Sequence, residues 1–220
     1  MIIGLVGFIG CGKGTVGDLL VQDHGFVQDS FAAPLKDAVA NIFGWNRTML
    51  EGSTKASRDW REQPDEFWSE KFGKPFSPRL ALQLLGTEAG RNVFHQDIWV
   101  ISLLNRCNKR GNTVVTDVRF KNEIAVIQKE GGVIVRVRRG DEPSWYDTAW
   151  KVNTEGLSPT EMIGVHQSEW DWVGSPINHI IYNDGTLSNL RDAVRHIAQN
   201  HEMFERVMPT QTHADDRIRM

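Results

Sequence analysis

The chain has 220 residues and a formal net charge of -3, long enough for one α/β domain with its own core and without the basic field that draws a polymeric nucleic acid. Its two cysteines, Cys11 and Cys107, cannot make a disulfide framework, and no apolar run reaches the length of a signal peptide or a membrane span. The expectation is a cytoplasmic protein of a reducing compartment, with a small-molecule partner and neither a nucleic acid nor a membrane.

Residues 2–8, IIGLVGF, are a nearly continuous apolar run, as a parallel strand buried on both faces requires. Val16, Leu19 and Leu20 then recur at helical spacing until Gly25, so a glycine turn joins a strand to a helix. That turn, GFIGCGKGT (7–15), satisfies G-x-x-x-x-G-K with Gly7, Gly12 and Lys13; Gly14 follows and the hydroxyl is delayed to Thr15. Glycines let successive backbone N–H groups point inward as an anion nest, and the helix adds the positive end of its dipole. Lys13 supplies a mobile charge for β- and γ-phosphates, and Thr15 can reach Mg²⁺ or a phosphate oxygen. Cys11 reads as a small residue at a tolerant loop position, since neither partner cysteines nor closely spaced histidines accompany it.

A weaker strand is expected at FVQDS (26–30). Pro34 starts a helix that carries Lys36 in its first turn, against the dipole unless an anion lies nearby. Residues 45–76 mix charges with Trp45, Trp60 and Trp68 and show no clear period, as a partly helical insertion over a cleft would; sealing of the core edge by these indoles is an equal alternative. Pro78 opens another helix, with Arg79 and Gln83 on one face and Gly86 and Thr87 a turn on. Strands follow at 113–117 and 133–137. The first ends on Asp117 and Arg119, at the edge where parallel sheets place their ligands. Asp117 could hold Mg²⁺ through water or pin an arginine, and Arg119 could clamp a phosphate.

Residues 141–176 form a second Trp-rich stretch broken by prolines. A last strand is expected at 179–184, and Thr186 caps a final helix bearing Leu187, Leu190, Val194 and Ile197. From Glu205 the chain reads as a polar, frayed tail. Strands alternating with helices predict an α/β fold, a parallel sheet covered on both sides. DWVG (171–174) matches a GTPase motif in letters only, because no N-K-x-D follows.

FAAPLKDAVA, PRLALQLLGTEAGRNVFHQDIWV, VVTDVRFKNEIAVIQKEGGVIVRVRRG and INHIIYNDGTLSNL stand in the order and spacing found in bacteriophage deoxynucleoside monophosphate kinases. The chain resembles that family over most of residues 1–200. The resemblance implies a nucleoside monophosphate kinase-like P-loop domain over 1–204, with a substrate-binding insertion at 45–76 and a lid-like segment at 139–176. It implies ATP- and Mg²⁺-dependent transfer to a deoxynucleoside 5′-monophosphate. Gly10, Cys11, Gly12, Lys13, Gly14 and Thr15 would serve the ATP phosphates, and Asp184 in NDG would lie near adenine. Leu35, Lys36, Arg79, Gln83, Gly86, Thr87, Trp99, Asp117, Arg119 and Glu123 would line the acceptor side. Lys13, Arg79, Asp117, Arg119 and Arg138 would act in transfer, with Thr15 and Asp117 on the metal. His166 in HQSEW is a further candidate for the lid or substrate face, but a lone histidine is more often structural, and it reads as structural. The glycine turn alone would also suit kinases resembling those of dephospho-coenzyme A or phosphomevalonate, or an ATPase coupled to a partner. A homodimer is left open.

Overall fold

The computed structural model describes residues 1–207, with side chains through Gln199. Five parallel strands, β1 (Ile2–Val6), β2 (Val27–Asp29), β3 (Thr113–Val115), β4 (Val133–Arg138) and β5 (His179–Tyr182), form one sheet in the order β2-β3-β1-β4-β5. β1 is central and wholly buried, with Gly4 level with Val115 on one side and Ile134 on the other.

Side chains alternate across the sheet, so one strand feeds two cores. Ile3, Leu5, Val133, Val135 and Val137 pack beneath α1 (Lys13–His24) and α11 (Leu187–Val207). Ile2, Val6 and Ile134 face the opposite side, against α7 (Ile98–Arg110) and α8 (Lys121–Lys129). The expected capping at Thr186 is present: its hydroxyl accepts from Asn189 N–H while Asn189 Oδ1 accepts from Thr186 N–H. The helix continues through Val207, so residues 205–207 are not tail; the rest of the expected tail lies outside the described residues. No helix among the described residues is long and apolar enough to cross a membrane.

α2 (Ala33–Phe43) is followed by three short helices, α3 (Arg47–Glu51), α4 (Lys55–Glu62) and α5 (Glu66–Phe72). Their lack of a long period has a simple cause. Asn46, Thr54 and Asp65 each cap a new helix after a turn or less of linker. Trp45 and Leu50 pack with Val39, Phe76 and Ala81 in a separate small core, with Trp60 and Trp68 against it. Trp45 Nε1 donates to Asp65 and Trp68 Nε1 to the Phe43 carbonyl, so these indoles seal a core.

The second Trp-rich stretch holds α9 (Tyr146–Thr154), a 3₁₀ turn (Pro159–Met162) and α10 (Gln167–Trp170). Ala149, Met162, Trp170, Trp172 and Val173 join the main core on the α7 and α8 side. Arg136, only 9 % exposed, sits among Phe8, Tyr146 and Trp172. It bonds Tyr146 and Glu142 and thereby ties this stretch to β4.

Candidate active site

The glycine turn lies at the C-terminal edge of β1, and the structure explains each glycine differently. Gly7 and Gly12 have φ of 143° and 104°. A Cβ on Gly7 would lie 2.3 Å from the Val137 carbonyl oxygen, and one on Gly12 would lie 2.3 Å from Asn183 Nδ2. Asn183 Nδ2 donates to the Cys11 carbonyl at 2.9 Å and so clamps the loop to the end of β5. Gly10 and Gly14 face open space instead, and α1 begins with no side-chain cap. Uncapped N–H groups beside open glycines are what an anion needs there. The residues present therefore fit the phosphates of a nucleotide.

Lys13 Nζ donates to the carbonyls of Gly7 at 2.6 Å and Phe8 at 3.1 Å. Burial pushes its ammonium below the ordinary lysine range, which an incoming phosphate would reverse. Thr15 is exposed at the first turn. Cys11 differs from the sequence expectation. Its thiol is 4 % exposed within the core beneath α1, its N–H donates to the Phe8 carbonyl and its carbonyl accepts from Asn183. Cys11 nonetheless lines the cavity beside Gly10, with Lys13 Nζ 3.8 Å from its sulfur.

Gly12→Ala and Gly14→Ala separate the two kinds of glycine. Gly12→Ala combines a positive φ with the Asn183 overlap, so it should lose roughly 1–3 kcal/mol of stability together with most ATP binding. Gly14→Ala meets neither cost and should keep its Tm while weakening ATP. Titration calorimetry with thermal melts checks this; equal melting temperatures for the two variants would contradict the geometry.

A cavity of ≈ 450 Å³, which the sequence expectation assigns to the acceptor, takes in Arg119, whose charge bears on Lys13 of the loop. α6 (Pro78–Gln83) brings Arg79 and Gln83, and a π-helical stretch, Leu84–Phe94, brings Gly86 and Thr87. Leu35, Trp99, Asp117, Arg119 and Glu123 complete the set expected from the sequence, all except Lys36. An α-helix was expected through this region. The wider winding follows from packing: Trp99 Nε1 donates to the Gly86 carbonyl at 2.8 Å, and a Cβ on Gly90 would lie 2.7 Å from the Trp99 ring. Only a glycine-bearing, widened turn admits that indole.

Lys36 is turned elsewhere. It pairs with Glu51 of α3 at 2.5 Å and lines an adjoining cavity of ≈ 340 Å³ with Asp29, Arg106 and Asp117. The anion expected beside it is thus a residue of the insertion. Sequence reasoning missed Phe31, Arg91 and Phe120, which also line the acceptor cavity. Arg91 lies over the Phe120 ring at 5.7 Å; its position on the π-helical stretch gave no local signal. His166, read as structural, caps α10 through Nδ1 and also reaches the cavity.

Asp117 accepts from the N–H groups of Phe31 at 3.0 Å and Ala32 at 3.3 Å. It fixes the turn ahead of α2 rather than pinning an arginine, and burial pushes its carboxyl above the ordinary range. Glu123 accepts from Arg119 and Phe120 N–H groups through Oε2. Burial raises it to about 7, with a contribution from the charge of Asp117. Arg79, Arg91 and Arg119 share the lining with these two carboxyls; Arg79 stands 3.8 Å from Glu62 and Arg119 3.0 Å from Glu169, while Arg91 lies over the Phe120 ring.

A stability consequence follows. Between its unfolded value near 4.5 and the folded value of about 7, Glu123 holds its proton in the folded state only, so the folded state is favoured at low pH. That contribution is complete below pH 4.5 and is lost as pH rises through 7. Glu123→Gln should remove a stability difference on the order of 3 kcal/mol between pH 5 and pH 8. Urea midpoints at both values test this; an unchanged difference would place the titration elsewhere.

Arg138 ends β4, and Asp184 follows the end of β5. Arg138 Nε is 3.1 Å from Glu142 and lines a cavity of ≈ 270 Å³ with Phe8, Ile9 and Gly10. Asp184 accepts from Gly140 N–H at 2.7 Å, joining the β4 and β5 ends. Among the described residues no group of three or more His, Cys, Asp or Glu side chains could hold a metal ion. Mg²⁺ bound here would need phosphate oxygens as ligands beside Thr15 and Asp117.

No protein-family model matches the chain. A protein of Acanthamoeba polyphaga mimivirus named "Putative deoxynucleotide monophosphate kinase" is 33% identical over 153 residues, 63% of this chain and 74% of that protein. "Deoxynucleoside-5'-monophosphate kinase" of Escherichia phage T5 is 51% identical over 49 residues, 21% of this chain and 20% of that one. Among solved structures, shikimate kinase from Aquifex aeolicus aligns over 93% of this chain and 98% of its own at 16% identity and a TM-score of 0.42. Dephospho-CoA kinase from Campylobacter jejuni aligns over 90% and 96% at 13% identity and a TM-score of 0.38.

Proposed function

Since the chain belongs to the family of deoxynucleotide monophosphate kinases, we propose that it transfers the γ-phosphoryl group of ATP to a deoxynucleoside 5′-monophosphate, giving the diphosphate. The observation that supports this reading is the adjacency of two chemically distinct sites. Lys13 of the uncapped glycine loop lies within electrostatic reach of Arg119, and Arg119 lines the acceptor cavity with Arg79 and Gln83.

Phosphoryl transfer asks for alignment and charge neutralisation more than covalent chemistry. The loop N–H groups and Lys13 hold the donor phosphates. Arg119 and Arg79 bind the acceptor phosphate, Gln83 and Thr87 present hydrogen-bonding groups to the nucleoside, and Trp99 with Leu35 supplies its apolar walls. Thr15 and Asp117 would hold Mg²⁺, which when bound neutralises charge on the phosphate oxygens. Asp184 would lie near the adenine of ATP and Arg138 near the lid, whose residues Asp141 and Glu142 line the cavity beside Gly10 and whose His166 lines the acceptor cavity.

A panel of ribo- and deoxynucleoside monophosphates with ATP and Mg²⁺, analysed for diphosphates, tests the assignment. Deoxynucleotides should be preferred in kcat/KM. An apolar pocket alone rejects an added hydroxyl by only ~10², so Trp99, pinned at Gly86, acts as a wall and Trp99→Leu should narrow the preference. Equal losses on both sugars with a lowered Tm would assign Trp99 to packing alone. No diphosphate from any monophosphate would contradict the function.

A further inference from the structure

Arg119 has a fixed backbone and a half-exposed head. Its N–H donates to Glu123 at 2.8 Å, while its side chain is 46% exposed between the glycine loop and the acceptor cavity. The group that meets it comes from 50 residues away: Glu169 Oε1 accepts from Arg119 Nη1 at 3.0 Å, with Ser168 Oγ at 3.5 Å. Glu169 is anchored. Trp170 and Trp172 beside it are 6% and 3% exposed, and Trp172 Nε1 donates to the Glu169 carbonyl at 3.1 Å. The charges of Glu169 and Arg119 both bear on Lys13, so carboxylate, guanidinium and ammonium converge where donor and acceptor would meet.

An exposed ion pair adds only ~0–1 kcal/mol to folding, so stability does not account for a carboxylate built into this position. We propose that Glu169 is a positioning residue for transfer: it holds Arg119 Nη1 so that Nε and Nη2 face the acceptor phosphate. A long, exposed arginine otherwise orders itself only when substrate arrives, at an entropic cost. This rests on the reading of Arg119 as the acceptor-phosphate clamp. Among the described residues Glu169 is the one carboxylate paired with Arg119.

A double-mutant cycle on the full chain tests it, with kcat, monophosphate KM and Tm measured for Glu169→Ala, Glu169→Gln, Arg119→Ala and Glu169→Ala/Arg119→Ala. Glu169→Ala should lower kcat on the order of 10-fold with little change in Tm. Glu169→Gln should recover part of the loss, because its amide oxygen still accepts. In the Arg119→Ala background, Glu169→Ala should have no further effect. The same loss with and without Arg119, or an unchanged or raised kcat in Glu169→Ala while Arg119→Ala is severely impaired, would overturn the proposal alone. Wild-type kinetics in Arg119→Ala would overturn the clamp itself, and the proposal with it.

Discussion

Lys13→Ala is expected to lower kcat by at least about 10², the loss of roughly 3 kcal/mol of transition-state stabilisation that a positioned charge supplies. The fold should survive. Lys13 donates to carbonyls and the Cys11 sulfur of its own loop, the sulfur at 3.8 Å, so its removal leaves the sheet and both cores intact. The loop keeps the Asn183 clamp. Steady-state kinetics paired with a thermal melt decide the matter, and near-normal turnover in a folded variant would remove the loop from the chemistry.

Arg119→Ala should cost kcat/KM for the monophosphate about 10²–10³ while leaving ATP affinity within a few fold. Arg119 lines the cavity proposed for the acceptor, and its guanidinium has donors to spare beyond the one held by Glu169. Arg119→Lys should recover little, since an ammonium cannot serve Glu169 and a phosphate through one rigid fork. Weakened ATP binding with an unchanged monophosphate KM would move Arg119 to the donor side.

Local patterns made most of this architecture readable. The buried runs at 2–6, 113–115 and 133–137 became the three central strands because burial on both faces leaves an apolar sequence. Glycine spacing disclosed the loop because backbone geometry, with φ of 143° at Gly7 and 104° at Gly12, excludes other residues. Tertiary choices were less legible. Lys36 looked like a ligand because its partner, Glu51, lies in the insertion without a period. The π-helical stretch depends on Trp99 entering beside Gly90, and no local propensity encodes an indole from the next helix. Arg91 gained its place through that widened winding, and the Cys11 thiol was turned inward by the loop's own closure onto Asn183. Glu169 was invisible as a partner of Arg119, since nothing in a sequence marks two residues so far apart as neighbours.

The most direct test of the central claim is the stoichiometry of ADP formation. Purified protein with ATP and Mg²⁺ should form ADP slowly alone and rapidly once a deoxynucleoside monophosphate is added, with each ADP matched by a nucleoside diphosphate carrying the former γ-phosphate. ADP formed at the same rate without any acceptor, with the phosphate released to water, would contradict the account and identify an ATPase instead.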